Sequence, residues 1–174
     1  MFSLVKRFKS LIYYANNMEN KSKFDEVAEY LIKAHDSIFE DSDYNLPLTE
    51  DEAAQIAKNL EEAWKFYKGK YLEKGHSVSD AIKSYKAERR LLLDYCGLIL
   101  EKVKGLKNED KTKLEEFMIA RGVRKDPTEV YGTYFYVYRH TNELDGIAYA
   151  FFAIKIEKTE GFKTALEKLN QALE

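Results

Sequence analysis

The sequence predicts an all-α protein: a helical bundle of seven or eight helices packed as antiparallel helical hairpins. Apolar residues recur every three or four positions along almost the whole chain, which is the period of a helix with one buried face. The chain has 2 prolines, and 33% of its residues are charged. With 174 residues, 45% of them hydrophobic, we expect one domain, 1–174, with a possible sub-boundary near 105–126.

Two helices are predicted ahead of the polar stretch at 41–48, which contains Pro47 and is typical of a loop. The first spans about 2–19 and is both basic and apolar, and the second spans about 24–40. The apolar residues that define their faces are Phe2, Val5, Phe8 and Ile12, followed by Val27, Tyr30, Leu31, Ala34 and Ile38.

Two longer helices are predicted next, over 50–74 and 80–104. Thr49-x-x-Glu52 is a capping box, in which each side chain can satisfy the other residue's backbone amide, so it predicts a helix start. Gly75 suits the left-handed conformation that closes helices. The second helix begins after Ser77 or Ser79 and ends at Gly105. The residues predicted to face the core from the first of these helices are Ile56, Leu60, Ala63, Trp64, Tyr67 and Tyr71.

Four further helices are predicted, over 108–120, 127–140, 143–158 and 161–173. Asp126 can cap a helix whose first turn contains Pro127. An alternative applies to 133–156, where strand-forming residues alternate at first and Asp145-Gly146 is a hairpin-turn pair. In that alternative, Ile147–Ile156 is the partner strand. Alanines disfavour a strand, so the helical interpretation is preferred; they are Ala148, Ala150 and Ala153.

A short pattern recurs in these helices, and it is clearest at the C-terminus. One helix presents aromatic, large and small residues on one face, a glycine-aromatic turn follows, and a second helix carries alanines around a large residue. The residues are Tyr149, Phe152, Ala153 and Ile156, then Gly161 and Phe162, then Ala165, Leu169 and Ala172. This pattern resembles the tetratricopeptide repeat. Partial copies begin at Leu11 and Trp64.

The resemblance implies a non-catalytic scaffold or protein–protein interaction module. Repeats of this family stack into a concave face lined by the first helix of each hairpin, and the family usually binds peptides or helices of other proteins. Carried over to this chain, the implied partner-binding residues lie near Trp64. They are Lys65, Lys68, Lys70 and Tyr71.

A different hypothesis is a small helical subunit of a nucleoprotein assembly, such as a viral or defence complex. A basic connector precedes a run rich in tyrosines, and cations with aromatic rings can neutralise phosphates and stack on bases. The candidate nucleic-acid-binding residues are Arg121, Arg124, Lys125, Tyr134, Tyr136, Tyr138 and Arg139. The ordinary structural role of such residues, solvated cations and core tyrosines, remains the preferred interpretation.

The remaining features limit the classes of function that the sequence allows. The net charge is −2, so no global attraction to nucleic acid or anionic membranes is expected. The single cysteine, Cys96, cannot form an internal disulfide, so we expect a reducing, cytoplasmic location. We expect no metal, no cofactor and no membrane span, and we expect that the protein is not an enzyme, because no catalytic or metal-binding motif is found. The oligomeric state does not follow from these patterns.

Overall fold

The computed structural model describes residues 22–123 and 144–174, and within these ranges the protein is all-helical with no strand. The prediction of an all-α helical bundle is therefore confirmed. The predicted helices at 2–19 and 127–140 lie outside the described residues. The helices are α1 (Lys23–Ile38), α2 (Glu50–Glu73), α3 (Val78–Tyr85), α4 (Ala87–Lys104), α5 (Asn108–Ala120), α6 (Leu144–Glu157) and α7 (Glu160–Leu173).

Local capping sets the start of α2, as predicted. The Glu52 amide donates to Thr49 Oγ1 at 3.1 Å, and the Thr49 amide donates to the Glu52 carboxylate at 3.0 Å. At the other end, Gly75 has φ 83°, a conformation that favours glycine. These contacts satisfy backbone groups that a helix leaves unpaired at its ends.

The predicted helix over 80–104 is wrong in one respect, because the chain forms two helices there. Lys86 adopts a left-handed conformation, with φ 55° and ψ 60°, between α3 and α4. This break lets α3 pack on α2, where the Tyr85 ring meets Trp64 edge to face with centroids 5.0 Å apart. The apolar periodicity continues through Lys86, so spacing alone does not reveal the break.

The strand alternative for Ile147–Ile156 is also wrong, since α6 covers this stretch. Small residues allow α6 to be buried on several sides, with Ala148, Ala150 and Ala153 each at most 1% exposed. Residues 133–143 of the proposed hairpin lie outside the described residues.

Antiparallel packing relates α1 and α7, which form the most extensive helix–helix contact in the described part of the chain. Glu26 near the start of α1 pairs with Lys168 late in α7, at 3.5 Å. Gly161 at the start of α7 lies against Ala34 near the end of α1. The consecutive helices α6 and α7 touch each other far less, because α6 packs mainly on α4.

The helices α2 and α4 are antiparallel as well. Lys102 Nζ, near the end of α4, donates to both carboxylate oxygens of Glu52, near the start of α2, at 2.6 and 2.8 Å. Burial raises the pKa of Glu52, but hydrogen bonds from Lys102 and Thr49 outweigh burial and leave this pKa below its usual value. The pair fixes the register of the two helices.

A buried histidine connects the loop after α1 to the core. His35 is fully buried, and its ring Nε2 donates to the carbonyl of Leu46 in that loop. Its Nδ1 accepts from the Tyr95 hydroxyl of α4 at 2.6 Å. Both bonds are made by a neutral ring, and burial, the largest influence, lowers the pKa of His35. Phe39 and Phe152 pack around the same ring.

We expect Gly161→Ala to lower the free energy of unfolding by about 1–3 kcal/mol, the usual penalty for overpacking a tight contact. A Cβ at this position would lie 2.7–2.9 Å from the backbone and Cβ atoms of Ala34, so α1 and α7 would have to move apart. The measurement is urea denaturation. Gly97→Ala is the matched control, because a Cβ there meets nothing within 4 Å and alanine favours a helix. Equal stability of the two variants would contradict the close contact.

Candidate partner-binding surface

The two halves of α2 are covered differently. Its first half contributes buried residues at every turn, ending at Trp64, which is 3% exposed. From Lys65 to Glu73 no residue is buried. A row of aromatic rings on the inner side holds this second half to α3. The neighbouring rings are Trp64 and Tyr85, Tyr67 and Tyr85, Tyr67 and Tyr71, and Tyr71 and His76, with centroids 4.9–5.3 Å apart.

The four residues that the repeat resemblance singled out lie on different sides of this helix. Lys65 is exposed and pairs with Glu61 at 3.3 Å. Lys68 is half-buried, with its ammonium 6.0 Å from the Trp64 ring centroid. Tyr71 is half-buried within the aromatic row.

Lys70 lies apart from Lys65 and Lys68, on the side of α2 that faces away from the core. It pairs with Glu73 at 3.6 Å, and its ammonium lies 5.5 Å from the Phe66 ring centroid. The four residues therefore do not share one contiguous face.

The outer face of α2, opposite the core, carries a large apolar side chain that the sequence analysis did not single out. Phe66 is 69% exposed. At helical spacing it shares this face with residues that are exposed or half-buried, which are Gln55, Asn59, Glu62, Ala63, Gly69, Lys70 and Glu73. Ala63 was predicted to face the core and is exposed instead. The sequence did contain a signal for this face, because Phe66 is a phenylalanine at a position outside the apolar period of α2.

A small residue flanks Phe66 on each side of the outer face, Ala63 and Gly69. A Cβ built at Gly69 would meet nothing within 4 Å. Glycine within a helix is destabilising by about 1 kcal/mol relative to alanine. Since no contact with residues 22–123 or 144–174 requires a glycine here, the described structure alone does not account for it.

The candidate nucleic-acid residues fall mostly outside the described part of the chain. Arg121 is within it, half-buried, with its guanidinium 3.9 Å from the centroid of the Phe117 ring. The others lie outside the described residues, and the nucleoprotein hypothesis stays a prediction. They are Arg124, Lys125, Tyr134, Tyr136, Tyr138 and Arg139.

Residues suited to chemistry are sparse in the described ranges. No group of three or more His, Cys, Asp or Glu side chains is placed to hold a metal ion there. Cys96 is fully buried, and burial raises the pKa of its thiol to about 12, which disfavours the thiolate. None of the described helices combines the length and apolar character that crossing a membrane requires.

A concave surface lies between α4, α6 and α7, with a volume of about 870 Å³. Apolar side chains line it, including Leu92 and Leu166, and so do charges of both signs, including Arg89 and Glu88. Leu93 at its edge is 41% exposed. The mixture of charges gives this groove no distinct preference for one ligand class.

Comparisons of the chain with models of known protein families, with curated proteins and with solved structures found no match. The function of the protein is therefore inferred from its own residues and contacts.

Proposed function

We propose that the protein is a non-catalytic interaction module that binds another protein through the outer face of α2. The observation that supports this most is Phe66, an aromatic side chain 69% exposed at the centre of a helix face that packs on nothing in the described chain. Aromatic anchors with a polar surround are typical of binding hot spots.

The magnitude expected of such an anchor is substantial. Burying a phenylalanine side chain removes enough apolar surface from water to contribute about 1.5–3 kcal/mol. Exposed single apolar residues also occur on ordinary surfaces. The small neighbours Ala63 and Gly69 favour a binding role, because they would let a partner helix approach the backbone closely.

The experiment is photo-crosslinking in a lysate of the native host, with benzoylphenylalanine incorporated in place of Phe66. We expect a specific protein adduct at this position. In a separate affinity capture without the probe, Phe66→Asp should weaken binding of the same protein about 30-fold or more relative to the wild type, as expected for a hot spot of at least ~2 kcal/mol. The matched control carries the probe in place of Ile119, which is 47% exposed on α5.

Two results would count against this proposal. Equal adducts from both positions would show that capture reflects exposure alone. Adducts that disappear after nuclease treatment would favour the nucleoprotein hypothesis instead.

A further inference from the structure

The outer face of α2 is self-complementary. Glu62 and Lys70 each lie four residues, about 6 Å along the helix axis, from Phe66, on opposite sides of it. Ala63 and Gly69 each lie three residues from Phe66, also on opposite sides of it. A two-fold axis beside Phe66 would thus bring each acidic position to a basic one and each small residue to another small residue. We infer that this face binds a second copy of the chain, through two antiparallel α2 helices.

The pairing follows from the symmetry of such an interface. In a two-fold dimer, if one residue contacts another across the axis, the reverse contact is present too. Glu62 would meet the partner's Lys70, and Lys70 would meet the partner's Glu62. Two opposite-charge pairs therefore flank the central aromatic rings, and no like-charge pair is formed at these positions. Parallel α2 helices would instead place each of these charges beside its own copy.

The charges are available for this pairing. Lys70 and Glu73 form an i,i+3 pair at 3.6 Å with side chains 55% and 71% exposed, and such surface pairs are weak enough to exchange partners. Glu62 is exposed, and none of the ion pairs recorded within 22–123 and 144–174 includes it. Both side chains can therefore reach across an interface without losing a strong contact.

Gly69 supplies an independent reason for a close neighbour outside the chain. Open space surrounds the position where its Cβ would lie, so nothing described within the chain needs a glycine there. A helix packed across this face gives Gly69 a role, since without a Cβ there the partner's Phe66 ring can lie close to the α2 backbone. The pairing thus explains a residue that otherwise only weakens α2.

The expected affinity is low. One helix crossing another over this length buries less than the ~1,200 Å² typical of stable complexes, so the dimer should be weak and concentration-dependent. The inference rests on the proposed function, since it names the partner of the same face.

The test is sedimentation equilibrium of the full chain from about micromolar to about millimolar concentration, the range of weak association. We expect Glu62→Lys and Lys70→Glu each to weaken self-association about tenfold or more, because each creates two like-charge pairs in the dimer. An equimolar mixture of the two variants should associate like the wild type, since both pairs across the mixed dimer are again opposite in charge.

Two further variants separate binding from folding. Lys65→Glu makes the same charge change on a flank of α2 and should leave self-association unchanged. Gly69→Ala should weaken self-association while raising the melting temperature of the dilute protein, because alanine favours the helix. Circular dichroism of each variant checks that the fold is intact.

Together, sedimentation and crosslinking distinguish self-pairing of the chain from binding of a different protein. A wild type that stays monomeric throughout, or a mixture that fails to recover association, would overturn the self-pairing. If the probe in place of Phe66 then still captures a different protein, the proposed interaction module stands and only its partner changes. If it captures nothing, both proposals fall.

Discussion

Replacing Trp64 with alanine should lower the free energy of unfolding by about 3–5 kcal/mol, the range for deleting a large core aromatic side chain. The indole is 3% exposed and packs edge to face on Tyr85, at a centroid distance of 5.0 Å. The Tyr67 ring lies 6.3 Å from the indole and 5.3 Å from Tyr85, so the three rings form one cluster. Because domains of this size have total stabilities of about 5–15 kcal/mol, the loss would be a large part of the whole.

Urea denaturation followed by circular dichroism measures this effect in dilute protein. Phe66→Ala is the matched control, since Phe66 lies two positions away on the same helix and is 69% exposed. A surface substitution of that kind should change stability by no more than about 0.5 kcal/mol. If the two variants unfold at the same urea concentration, the Trp64 side chain does not hold α3 against α2.

Acid should destabilise the protein through His35 as the pH falls below about 6.5, the ordinary pKa of histidine. Burial lowers the pKa of His35 in the folded state. At any pH between this lowered pKa and the ordinary pKa, the unfolded chain therefore binds a proton that the folded chain does not. The stability contributed by the neutral ring is thus complete above pH ~6.5 and is lost progressively below it. Asp36 and Glu52 oppose this lowering of the pKa, and Lys102 adds to it.

The measurement is the free energy of unfolding between about pH 7.5 and 5, above the range in which ordinary carboxylates titrate. His35→Leu should remove the histidine-dependent slope, and it should also destabilise the protein at pH 7. The Leu46 carbonyl and the Tyr95 hydroxyl would each lose a buried partner, at about 1–3 kcal/mol per group. His76→Asn is the control, since His76 is exposed. A slope that survives His35→Leu and disappears in His76→Asn would contradict the assignment.

Helix positions could be predicted from the sequence wherever a local signal marks an end. Thr49, Glu52 and Gly75 carry their own capping chemistry, so the bounds of α2 agree with expectation to within one residue. The break at Lys86 carries no such signal. A non-glycine residue adopts the left-handed conformation there because packing of α3 on α2 compensates for it. That compensation is a contact between two helices, which the residues next to Lys86 do not reveal.

The candidate surface was predicted less well than the fold. The second half of α2 was identified, but through lysines that the helix directs to different sides. Phe66 was overlooked because a search for apolar periodicity selects residues that face the core, and this residue faces away from it. His35 was overlooked for the opposite reason. It lies four residues after Leu31, within the apolar face of α1, but its two hydrogen-bond partners come from separate parts of the chain.

The antiparallel contact between α1 and α7 has a consequence for synthesis. These are the first and last helices of the described chain, so the largest contact has a high contact order, which slows folding. A ribosome adds about 5–20 residues per second. During that time α1, whose buried residues include Phe24, Val27 and Leu31, lacks the helix with which it makes its most extensive described contact. The described core around α1 is thus complete only after α7 has been synthesised.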